Sequence, residues 1–165
     1  MASSDSDCPP LFEPGEHEAT IEQIREVCVK KFPLSQTRGN IFAGFLKVHQ
    51  EIELLGIPCH LIIDGSFLTE EIDPSDIDFC VVVTPEFYEG CNPKQLKFLN
   101  WIRDDRKIKD SLLCDVYLCV EYKPGHPEYF EGIQNHNWWV QLYSKSVVYK
   151  RVRDVAILKC LGKLR

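Results

Sequence analysis

The segment DGSFLTEEIDPSDIDFCVVV, residues 64–83, decides how this chain is read. It opens directly behind a short apolar run, His60 to Ile63, and closes on Ile77 to Val83, a continuous and β-branched run too short for a helix. Runs of that length, bounded by turn residues, are the pattern of strands covered on both faces. Between them Thr69 to Ser75 is polar, so the segment predicts strand, Gly-Ser turn, polar connection and interior strand, with Pro85 ending the second strand.

Upstream, Ile41, Phe45, Val48, Ile52 and Leu55 recur at steps of four and three, one apolar stripe of a helix. Ser35 or Thr37 is placed to cap it, and Gly56 and Pro58 end it. A shorter helix is expected from Thr20 to Lys31, and residues 1–15, with three prolines, read as a mobile acidic lead-in. Downstream, 93–108 reads as a helix burying Leu96, Phe98, Leu99 and Ile102, and Leu113 to Tyr122 as a third strand stopped at Pro124-Gly125. Pro127 to Ser144 reads mostly as helix, Ser146 to Val152 as a strand, and Asp154 to Leu161 as a terminal helix capped by Asp154. This alternation predicts an α/β (or α+β) domain, a mixed β-sheet flanked by helices, filling residues 16–165 as a single unit.

Bulk composition agrees with one globular domain. The chain has 165 residues, 44% apolar and 27% charged, and no apolar run of membrane-spanning length. The acidic, proline-broken start lacks the features of a secretory signal, so a cytoplasmic location and no membrane partner are expected. Eight cysteines include no CxxC pair, and several sit in strand-like runs, which points to reduced, buried thiols rather than disulfides or structural zinc. Charge is uneven: residues 1–27 hold seven acids and one base, and residues 145–165 seven bases and one acid. A basic end on an acidic protein suits a phosphate-bearing partner, and an ordinary solvated surface equally well.

Three carboxylates carry the chemistry. Asp76 and Asp78 stand two apart at a strand entry, so both side chains project to one face. Their repulsion and partial desolvation are relieved by a divalent cation, and hard oxygen donors suit Mg2+ or Mn2+. Asp115, at the mouth of the next strand, joins the cluster if the two strands are neighbours; otherwise it is a turn residue facing water. Gly65-Ser66 supplies the other half, with glycine letting backbone approach a ligand and serine offering hydroxyl and N–H to an anion. Arg151 and Arg153 share a face if Ser146–Val152 is a strand, and could bring a triphosphate toward the site.

A Gly-Ser turn, about ten residues of connection, then Asp-x-Asp entering a strand is similar to the signature of the DNA polymerase β-type nucleotidyltransferase superfamily. Pro74-Ser75-Asp76-Ile77-Asp78 resembles its small bacterial and phage members most. The resemblance implies a nucleotidyltransferase-like fold and a two-metal transfer from a nucleoside triphosphate to an acceptor hydroxyl on RNA, protein or a small molecule, with release of pyrophosphate. It implies that Gly65 and Ser66 contact the phosphates, that Asp76 and Asp78 bind both metal ions, and that Asp115 completes the second site. For small members it also brings an expectation of a toxin–antitoxin or phage-defence role. The chain departs from the pattern at Thr69-Glu70-Glu71, where many members have another glycine. Three rivals stand beside this reading. One is an inactive nucleotide-binding module, another a nuclease using Glu121-Tyr122-Lys123 with Asp78. The third is an interaction protein presenting Trp138-Trp139.

Overall fold

The computed structural model describes residues 8–13, 15–105, 107–129 and 154–160. The fold is α/β, built on one five-stranded sheet. Strand β1 (Gly15–Glu18) is followed by helix α1 (Ile21–Arg25), which widens into a π-helical turn over Glu26–Lys30. Thr20 and Gln23 form a reciprocal capping box at its start. Helix α2 (Arg38–Leu54) leads to β2 (Cys59–Asp64), a 3-10 turn (Ser66–Leu68) and β3 (Ile77–Val83). Helices α3 (Pro85–Glu89), α4 (Pro93–Asp104) and α5 (Lys107–Leu112) then connect to β4 (Cys114–Val120), and β5 (Asp154–Cys160) is the last described element.

The strands lie in the order β1-β5-β2-β3-β4. β3 and β4 are parallel, β2 is antiparallel to both β3 and β5, and β1 runs parallel to β5. A parallel pair needs a long crossover, and α3 to α5 supply it for β3 and β4. The predicted stripe of α2 is the heart of the core: Ile41, Phe45, Val48 and Ile52 are buried against Leu61, Ile63, Phe79 and Val81. Phe45 meets Phe79 edge-on, ring centroids 5.2 Å apart. The opposite face of the sheet buries Ile62, Cys80, Val82 and Cys119, with Tyr117 beside them. Both faces being covered is why β3 reads as an unbroken apolar run.

Helix α2 comes close to the end of α5 at Gly44, where an added Cβ would stand 1.9 Å from the Leu112 carbonyl oxygen. Leu113 then takes a left-handed turn (φ 56) into β4, and its carbonyl accepts from the Ile77 N–H, tying together the starts of β3 and β4.

Several expectations are corrected. Asp154–Cys160 is a strand, not a capped helix; Val-Ala-Ile-Leu is a continuous apolar run that periodicity cannot assign, and pairing with β1 and β2 decides it. The helix expected over 93–108 stops at Asp104, because Asp105 is extended (φ −94, ψ 100), and α5 is a separate helix. The lead-in is tied down in part: Leu11 N–H donates to the Leu68 carbonyl and Glu70 N–H to that of Pro9. Thr37 occupies the N-cap position of α2, yet Ser35 does the capping, its hydroxyl accepting from the N–H groups of Thr37 and Arg38. The helix expected over Pro127 to Ser144 has a 3-10 turn at Pro127–Tyr129, and the rest of it lies outside the described residues, as does Ser146–Val152.

Candidate active site

Strand register assembles the site. Asp64 is paired with Asp78 across β2 and β3, and Asp78 with Asp115 across β3 and β4. Directly paired residues point to the same face, so three carboxylates form one row over three strands spaced by about 4.8 Å. Asp76 stands two residues ahead of Asp78 and is buried, as is Asp64. Within β3, Asp78 alone is not fully buried, so the row opens to solvent at its centre.

The Gly-Ser turn closes over this row. Gly65 has φ 87 and ψ −168, a conformation open essentially to glycine alone. An added Cβ there would lie 2.1 Å from Asp78 Oδ2, so the turn and the carboxylate are packed against one another. Ser66 begins the 3-10 turn, and its carbonyl accepts from the N–H and hydroxyl of Thr69.

A buried arginine holds the connection in place. Arg38 is wholly excluded from solvent, and its guanidinium donates to the carbonyls of Cys28, Phe67, Thr69 and Glu71. It lies over the Phe32 ring, 3.8 Å from the centroid. Burial lowers its pKa, and the carbonyl dipoles answer a charge that arginine does not give up. Asp73 anchors the same connection to the start of α2, accepting from Ser35 Oγ and the Gln36 N–H. Glu70 is exposed, turned away from the carboxylate row as a triphosphate site would require.

Lys109, on α5, enters from the side. Its ammonium donates to Asp76 Oδ2 at 2.9 Å and to Asp115 Oδ2 at 3.3 Å, and these pairs raise its pKa, the Asp76 hydrogen bond most of all. Tyr117 donates its hydroxyl to the same Asp115 oxygen at 3.0 Å. Burial, with the charge of Asp76 behind it, pushes the neighbouring Cys114 thiol up to about 12. Beside Lys109 a cavity of about 310 Å³ lies between α4, α5 and β4, walled in part by Arg103, Asp105, Ile108 and Asp110.

The structure therefore brings Asp76, Asp78, Asp115, Gly65 and Ser66 to one end of the sheet, while Arg151 and Arg153 lie outside the described residues. Asp64, Lys109 and Arg38 were not anticipated. Asp64 adjoins Gly65 in the same motif, whereas nothing local marks Lys109 or Arg38. The nuclease trio is not assembled: Glu121 follows β4 at the Val83 end, roughly 20 Å along the strand from the carboxylate row. Asp76, Asp78 and Asp115 suit a hard divalent cation in donor type and in register. Among the described residues, no three His, Cys, Asp or Glu side chains already form a cage for one. Among those residues, too, no helix is long and apolar enough to cross a membrane, and Cys28, Cys59, Cys80, Cys114 and Cys119 are buried and unbridged.

Fold and site together define an α/β domain with a carboxylate row at one end of its sheet and a glycine turn laid over it. Over residues 5–154 the chain matches a family of unknown function, DUF6932, and it belongs to that family. Neither a curated protein nor a solved structure matches it.

Proposed function

We propose that the chain is a divalent-cation-dependent nucleotidyltransferase, moving a nucleoside monophosphate from a nucleoside triphosphate to an acceptor hydroxyl and releasing pyrophosphate. The observation that carries this reading is the contact of the Gly65 turn with Asp78, the middle of the Asp64-Asp78-Asp115 row. It sets an anion-tolerant backbone turn and a cluster of hard oxygen donors within one ligand's length. Mg2+ or Mn2+ would be held by Asp76, Asp78 and Asp115, and supplies the positive charge that a pentavalent phosphorus centre and its leaving group need. In the transfer, the acceptor oxygen bonds to the α-phosphorus as the bond to the pyrophosphate oxygen breaks, and Asp115 draws off the acceptor's proton. Gly65 and Ser66 bind and orient the departing phosphates, and Arg38 keeps their connection from moving. RNA or protein hydroxyls are the acceptors this reading favours, in a cytoplasmic setting.

A second reading, a nucleotide-binding module without turnover, is favoured by the ammonium of Lys109 between Asp76 and Asp115. Incubation with α-labelled ATP, CTP, GTP and UTP, Mg2+ or Mn2+, and total RNA and extract protein as acceptors separates the two. Label on RNA or protein that disappears in Asp76→Ala/Asp78→Ala supports transfer. Metal-dependent nucleotide binding with no label supports the module, and nucleotide binding identical in wild type and variant removes both.

A further inference from the structure

We infer that Lys109 is a positioning residue that stands in for a cation between Asp76 and Asp115, so that a divalent ion entering the site must displace it. The inference rests on the proposed function in taking these two carboxylates as ligands. Their side chains are only 11% and 17% exposed, so each has lost most of its water, and two such anions on adjoining strands repel. Lys109 offsets that repulsion by donating to both, one oxygen from each. With Asp64 and Asp78 nearby, one ammonium faces four carboxylates. The cluster remains short of positive charge, the condition in which a divalent ion outcompetes a monovalent one.

Lys109 is also able to leave. Its side chain is 51% exposed, and it is borne on a six-residue helix at the chain's surface. It is itself part of the wall of the 310 Å³ cavity, where the carboxylates of Asp105 and Asp110 can receive the ammonium. Asp115 would keep its place once Lys109 swings away, because the Tyr117 hydroxyl already holds the same oxygen. Apo and loaded sites would thus share one set of carboxylate positions, with the lysine and the metal exchanging places.

The test is Mn2+ binding by calorimetry, with thermal unfolding at each Mn2+ concentration, on the full chain and on Lys109→Met, Lys109→Gln and Lys109→Arg. Met and Gln should bind Mn2+ about five- to tenfold more tightly than wild type, as expected for losing one competing pair at each of two carboxylates. Both should melt lower without Mn2+ and recover on its addition, and Arg should behave as wild type. A lysine serving packing alone would lower the melting point without tightening the metal. Wild-type binding with equal or weaker binding by Met and Gln overturns the inference and leaves the metal site standing. No Mn2+ binding by any of the four proteins overturns the inference and the metal-dependent reading together.

Discussion

Gly65 and Asp78 are in contact across the turn that ends β2, the glycine's missing side chain being the space the Asp78 carboxylate fills. Alanine at 65 would meet Asp78 Oδ2 at 2.1 Å in a backbone conformation that side chains rarely adopt. Gly65→Ala should therefore cost about 1–3 kcal/mol in urea unfolding and abolish labelled transfer in a protein that still folds. Unchanged stability would show that the turn tolerates a side chain and does not press on Asp78.

Gly44 makes the opposite of the usual argument about glycine in helices. In an open helix Gly→Ala gains up to about 1 kcal/mol. Here the new methyl would stand 1.9 Å from the backbone carbonyl of Leu112. Gly44→Ala should destabilise by a net of about 1–2 kcal/mol, overpacking outweighing propensity. Since α5 carries Lys109, the same variant should also weaken Mn2+-dependent stabilisation.

Arg38→Met would leave the carbonyls of Cys28, Phe67, Thr69 and Glu71 without their donor in a buried setting. The expected loss is about 3 kcal/mol, read as a lower urea midpoint. Hydrogen exchange should quicken over residues 66–73 before it does in β3. Exchange rising equally everywhere would mean that Arg38 supports the core rather than this connection.

Alkaline pH should weaken the fold through Cys114. Its thiol titrates at about 12 when folded and near 9 when not. Between those values the unfolded chain has lost a proton that the native state keeps, so stability falls as pH rises, by up to about 1.4 kcal/mol per pH unit. The contribution is intact below pH 9. Urea unfolding from pH 7.5 to 10.5 should show this slope, and Cys114→Ala should flatten it in part. Cys80, also raised by burial, retains the remainder.

What could be read from the residues follows the physics of each segment. β2, β3, β4 and α2 are long or strongly patterned and are bounded by Gly, Pro or charged residues, so sequence reasoning finds them within a residue or two. β1 is Gly-Glu-His-Glu, a strand only because β5 pairs with it, and no local preference announces that. β5 was mistaken for a helix because an apolar run after an aspartate satisfies both templates. At the site, Asp76 and Asp78 were legible from their spacing, and Asp115 from its place at a strand's mouth. Lys109 was invisible, since its meeting with Asp115 depends on how α5 turns into β4 through Leu113. Arg38 likewise acts on a segment some thirty residues away.

The place of β5 in the sheet also bears on how the chain is made. It lies between β1 and β2, yet it is translated about 90 residues after β2 ends. At ribosomal speeds that is an interval of roughly 5–18 s. During it β2, β3 and β4 are free to pair, while β1 has no strand to join and one border of β2 stays unfilled. An unfilled border is a template for any other extended chain. The nascent protein thus passes through a stretch of synthesis in which its own final strand competes with neighbours for the same hydrogen bonds.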